Sequence, residues 1–71
     1  MDKALEKLGI NIKKLRIENG FSQEKLAEIA DFDRTYISLI ERGKRNLSLV
    51  NLCRFAKALK VKPYQLIENL P

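Results

Sequence analysis

The sequence predicts an all-α fold, a compact bundle of five helices around one core. Apolar residues recur at three- and four-residue steps, beginning with Leu5, Leu8, Ile12 and Leu15. Capping residue types precede the periodic segments, and glycines follow two of them. No segment sustains a two-residue alternation between hairpin turns, so no sheet is expected.

Helix 1 should run from about Lys3 to Asn19, its periodicity interrupted only at Gly20 before Phe21. Gly20 supplies the left-handed terminating residue. Ser22 then offers an N-cap oxygen to helix 2, about Gln23 to Ala30, with Glu24 placing negative charge at its dipole-positive end. The turn Ala30, Asp31, Phe32, Asp33 is polar at two of its four positions, and Asp31 is a residue type that tolerates the left-handed conformation a sharp turn needs. Asp33 is placed to cap helix 3, Arg34 to Glu41 or Arg42, which sets Ile37 and Ile40 on one face while Thr35, Ser38 and Leu39 look elsewhere. Gly43 stops it. After the loop Lys44 to Leu47, Ser48 caps helix 4, whose Val50 or Leu49, Leu52, Phe55, Ala56 and Leu59 form a buried stripe. Pro63 suits the first turn of helix 5, about Lys62 to Asn69.

A chain of 71 residues is one domain, 1–71, near the lower limit at which an apolar core alone holds a fold, so help from a partner subunit is expected. The single cysteine, Cys53, cannot form an internal disulfide, and a chain without histidine has no zinc cluster. A reducing cytoplasm fits. No apolar run is long enough to span a bilayer, and MDKALEKLGI lacks a signal-like hydrophobic segment, so no membrane partner is expected. With no metal-ligand spacing, no phosphate loop and little room for a substrate pocket, neither a cofactor nor an enzymatic activity is expected. Cys53, on the flank of the helix 4 stripe, reads as packing rather than as a nucleophile.

Lysine and arginine number 14 against 9 acidic residues, a net charge of +5. Their distribution says more: from Arg42 to Ile67 the chain carries Arg42, Lys44, Arg45, Arg54, Lys57, Lys60 and Lys62 with no acid among them. Such a surface attracts polyphosphate backbones, although a solvated face on a small basic protein would look the same.

Two short helices joined by a tight polar turn, Ser22 to Asn46, make a candidate helix-turn-helix. The pattern SQEKLA, a four-residue turn, then DRTYISLIERGKRNLS resembles the Cro/repressor-type (Xre) family, over nearly the whole chain and most closely its restriction-modification controller proteins. The resemblance implies a lambda-repressor-like fold and a dimeric transcriptional regulator. The family usually has glycine where this chain has Asp31, and controller proteins often carry a small residue where it has Leu39.

If helix 3 enters the major groove by its N-terminal end, Arg34 can set its planar fork on guanine O6 and N7, a pairing worth roughly 1 to 3 kcal/mol of discrimination. Thr35 suits a phosphate or a thymine methyl. Tyr36 either reaches a phosphate, sugar or base, or folds its ring onto the domain surface. Ser38 lies one turn on, and Arg45 becomes a further base reader if its loop dips toward the groove. The free amides and positive dipole end of helix 2 can hold a phosphate at Ser22 and Gln23; by resemblance Gln23 is the family's phosphate-clamping glutamine. Arg42, Lys44, Asn46 and Ser48 form a second candidate phosphate clamp, or an ordinary charged loop. By the same resemblance Glu41 faces inward and pairs with Arg16 of helix 1.

One recognition helix reads few base pairs, so a homodimer on a pseudo-palindromic double-stranded DNA operator is expected, repressing by occlusion or activating through RNA polymerase. In the resembling family the last helices form the dimer contact, which here points to Tyr64, Leu66, Ile67 and Leu70; the alternative for Leu66 and Leu70 is that they only close the core. The alternative from another class is a protein-interaction module such as an antitoxin, with DNA binding secondary.

Overall fold

The computed structural model describes residues 2–71. Among these residues the chain forms five helices and no strand: α1 (Lys3–Glu18), α2 (Gln23–Ala30), α3 (Arg34–Glu41), α4 (Leu49–Leu59) and α5 (Pro63–Leu66). Their ends are closed locally. Asp2 caps α1, its Oδ1 accepting from the Ala4 amide at 2.8 Å. Ser22 Oγ accepts from the Lys25 amide at 2.9 Å and Ser48 Oγ from the Asn51 amide at 3.1 Å, each satisfying an orphan donor of the helix that follows. Asp31 takes the left-handed conformation, φ 60° and ψ 51°, at the end of α2. Asp33 holds the N-cap position of α3 but its side chain makes no capping hydrogen bond, so its carboxylate contributes there only through the helix dipole.

The expected helix 5 contracts to one turn. The Asn11 side-chain amide donates to the Leu66 carbonyl at 2.9 Å and to the Glu68 carbonyl at 3.1 Å, occupying the acceptor that a further helical turn would use. Asn69 then turns the chain at φ 62°. Asn19, the C-cap of α1, acts similarly, donating to the carbonyls of Leu15 at 2.9 Å and Leu59 at 3.1 Å, which ties α1 to the end of α4.

The core consists of Leu8 and Ile12 from α1, Leu26, Ala27 and Ala30 from α2, Ile37 and Ile40 from α3, Phe55, Ala56, Ala58 and Leu59 from α4, and Leu66 from α5. The stripe on α4 begins later than the sequence suggests. Leu49 and Val50 are 74% and 70% exposed, because the loop leading into them, Lys44 to Asn46, lies on the surface and leaves the first turn of α4 without cover. Cys53 is exposed as well, outside the packing expected of it.

Two contacts fix α3 on α1. Gly9 is buried where the helices cross, and a Cβ there would lie 2.5 Å from the carbonyl oxygens of both Ile40 and Glu41. Two turns farther along α1, Arg16 and Glu41 meet in a buried bidentate pair: Nε to Oε2 at 2.6 Å and Nη2 to Oε1 at 3.1 Å. Arg16 Nη1 also donates to the Phe21 carbonyl at 2.8 Å, and Gln23 Nε2 donates to Glu41 Oε1 at 3.1 Å. The cluster joins α1, the start of α2 and the end of α3, so the helix carrying the candidate readers is braced at its rear.

Candidate nucleic-acid interface

The candidate reading surface is created by what α3 buries. Ile37 and Ile40 are 0% and 1% exposed, which directs Arg34 and Thr35 of the first turn into solvent. Arg34 is held across the helix-turn-helix by Glu24 of α2, Nε to Oε2 at 3.2 Å, with both side chains more than half exposed. A pair so open to water holds the guanidinium only weakly and can yield it to a stronger partner.

The Tyr36 ring packs against the domain yet stays half-buried at the open side of α3, so the packing does not by itself take the residue off the reading surface. The ring lies 4.9 Å from Phe32 and 6.2 Å from Phe55, centroid to centroid. Its hydroxyl accepts from Asn51 Nδ2 at 3.1 Å. The polypeptide returns past this ring after α3, where the Lys44 amide bonds to the Leu39 carbonyl at 2.9 Å, and Arg45 sets its guanidinium 5.4 Å above the Tyr36 ring. Thr35, Tyr36, Leu39, Arg45 and Asn51 line one open concavity beside α3. The structure thus brings Arg45 to the same face as the first turn of α3. Ser38 is half-buried farther along the helix.

The candidate phosphate groups divide. Arg42, Lys44 and Asn46 are exposed, and Asn46 spends its Oδ1 on the Leu47 amide at 2.8 Å, keeping its amide donors free. Ser22 and Ser48 each use the hydroxyl oxygen as an acceptor from the helix and retain the O–H as a donor. Gln23 is drawn toward the rear brace through its bond to Glu41, which leaves one side-chain N–H and its backbone amide for a phosphate.

Arg54, counted in the basic surface by sequence, points inward. Its Nη2 donates to the carbonyls of Ala30 at 2.9 Å and Asp31 at 2.6 Å, and its guanidinium lies 4.0 Å from the Phe32 ring centroid. Asn51 and Glu24 are the other participants sequence reasoning did not single out as site residues; neither has a distinguishing local pattern, since each acts through a partner on another helix.

At the far end of the chain, Leu66 is fully buried in its own core and cannot contact a second copy, which corrects its assignment to a dimer interface. It is the residue of the α5 turn that faces α1 and α4. Leu70 is half-buried against the same core. Tyr64 and Ile67 are 62% and 43% exposed. Among the described residues no cluster of His, Cys, Asp or Glu could hold a metal ion, and no helix is long and apolar enough to cross a membrane.

A family model for a helix-turn-helix domain matches residues 12–66. The chain belongs to this family. It is 48% identical over 61 residues to the control protein C.BamHI of Bacillus amyloliquefaciens, covering 84% of this chain and 75% of that protein. It is also 43% identical over 60 residues to a hypothetical transcription factor of Neisseria meningitidis; the match spans 84% of this chain but only 57% of that relative's length. Among solved structures, the restriction-modification controller protein C.Esp1396I, crystallised as a tetramer on its natural 35-base-pair operator, superposes with a TM-score of 0.86 at 43% identity, covering 96% of this chain and 90% of that one.

Proposed function

We propose that this chain is a sequence-specific DNA-binding transcriptional regulator of the restriction-modification controller type, cytoplasmic and without catalytic activity. The carrying observation is the first turn of α3, where Arg34 and Thr35 stand in solvent on a helix fixed by fully buried Ile37 and Ile40. An N-terminal turn so presented fits a major groove, with Arg34 matched to guanine O6 and N7 and Thr35 to a thymine methyl or a phosphate. Arg45 approaches the same groove from the loop, while Ser22, Gln23, Arg42, Lys44, Asn46 and Ser48 position the domain on phosphates. The likeness to C.Esp1396I, whose structure includes operator DNA, supports this reading.

The protein acts as a homodimer on a pseudo-palindromic operator. Each copy carries one recognition helix, α3, so one copy engages one half-site, and half-sites roughly 34 Å apart on one face of the duplex call for two copies. Exposed Tyr64 and Ile67 are the residues of the C-terminal segment available to the second copy. Control of transcription then follows from occlusion of a promoter or contact with RNA polymerase. Replacing both Tyr64 and Ile67 by glutamate is expected to move the sedimentation coefficient from dimer to monomer and leave the melting curve of the monomer in place; an unchanged dimer would put the contact elsewhere.

The readout is tested by two substitutions. Arg34→Ala should cost about 1–3 kcal/mol on the preferred duplex and little on scrambled DNA, because it removes a base contact. Lys44→Ala should weaken both alike and lower the salt slope by about one. An Arg34→Ala variant with its full operator preference would sink the assignment of α3 as reader.

A further inference from the structure

Tyr36 has one hydroxyl proton, and the surroundings determine which way it can be used. Asn51 Nδ2 donates to the hydroxyl oxygen at 3.1 Å, so the phenol serves the protein as acceptor. The direction of that bond is set one step back: Arg54 Nη1 donates to Asn51 Oδ1 at 3.4 Å, and an amide turned the other way would set donor against donor. Arg54 is itself held by the carbonyls of Ala30 and Asp31 and by the face of Phe32. The Tyr36 O–H donates to nothing else among the described residues, and the ring lines the concavity beside α3.

We propose that Asn51 and Arg54 are positioning residues, a relay from the end of α2 through α4 that commits the Tyr36 hydroxyl to donate to a hydrogen-bond acceptor on DNA. The inference rests on the DNA-binding reading above and deepens it. A hydroxyl free to rotate can serve a donor or an acceptor; one already accepting from Asn51 selects acceptors, whether a phosphate oxygen or a base edge such as guanine O6 or N7, adenine N7 or thymine O4. The relay also anchors the turn where Asp31 sits in the left-handed conformation, so turn geometry and readout share one support.

A double-mutant cycle tests the relay, with Tyr36→Phe, Asn51→Ala and the pair measured on a duplex that the wild type selects and on a scrambled duplex. Asn51→Ala should weaken binding about three- to tenfold in the Tyr36 background, the worth of one hydrogen bond, and less than about twofold in the Tyr36→Phe background. Coupling on the selected duplex alone identifies a base-edge acceptor, and equal coupling on both identifies a phosphate. Equal losses from Asn51→Ala in the two backgrounds, or a silent Tyr36→Phe, would overturn the relay. Arg54→Lys should reduce the coupling and leave the salt slope unchanged, since the guanidinium is turned inward; a slope lowered by about one would place Arg54 on a phosphate and overturn its part. Should Arg54→Lys unfold, the cycle at half-exposed Asn51 still decides. A wild type that fails to distinguish the two duplexes would refute the DNA reading itself, whereas lost coupling with that preference intact refutes only the relay.

Discussion

Arg16→Ala is expected to destabilise the protein by about 3–5 kcal/mol, the cost of leaving a buried charge without its partner. The Glu41 side chain is 3% exposed and would keep only the single bond from Gln23, while the Phe21 carbonyl would lose its side-chain donor. A domain of this size has roughly 4–10 kcal/mol of stability in all, so the loss is a large share. At about 4 °C per kcal/mol as a lower bound, thermal unfolding followed by circular dichroism should show a Tm at least about 12 °C lower. The exposed Lys25–Glu28 pair, 54% and 74% accessible, serves as the control: Lys25→Ala should cost less than about 1 kcal/mol. Replacing Arg16 by methionine and Glu41 by leucine together should recover much of the loss, because no stranded charge remains. A melting curve unmoved by Arg16→Ala would mean that Glu41 reaches water, contrary to the buried brace.

Gly9→Ala is expected to destabilise by about 2–3 kcal/mol, near the upper end of ordinary overpacking costs, although the same change on an open helix face would gain about 1 kcal/mol. The new Cβ would stand 2.5 Å from the carbonyl oxygens of Ile40 and Glu41 and 2.8 Å from the Glu41 carbonyl carbon. These are backbone atoms, which cannot rotate away, so α1 and α3 must separate and the Arg16–Glu41 bonds must lengthen. Gly20→Ala separates conformation from space. A Cβ at Gly20 meets nothing within 4 Å, and only its φ of +74° is penalised, at about 1–2 kcal/mol. Urea denaturation of the two variants measures both; a Gly9→Ala protein as stable as wild type would show that the crossing is looser than this contact.

Much of this arrangement was legible because it is local. Ser22 and Ser48 announce their helices, Asp31 occupies the left-handed position required of it, and the spacing of Ile37 and Ile40 turns Arg34 and Thr35 outward. Family resemblance supplied what spacing could not, the inward pairing of Glu41 with Arg16. What escaped depends on partners distant in sequence. Asn11 ends α5 from 55 residues away, and Lys60 closes α4 at φ 63° although lysine is not a residue type that marks such a position. The fate of Tyr36 was undecidable from α3 alone, since Phe32 and Asn51 draw the ring inward. In the C-terminal turn, Tyr64, Leu66 and Ile67 are all apolar or aromatic, and only their placement separates a core residue from exposed ones. Gly9 gave no turn signal because its reason lies in the helix crossing it, not in its own backbone angles.

Selection of bound sequences from random duplex DNA tests the central claim most directly. Two copies of α3 related by a two-fold axis should enrich a pseudo-palindrome, with half-site centres about 34 Å, or about ten base pairs, apart and a guanine at the position that Arg34 reads. Recovery of folded protein with no sequence enriched over the input pool would contradict the account.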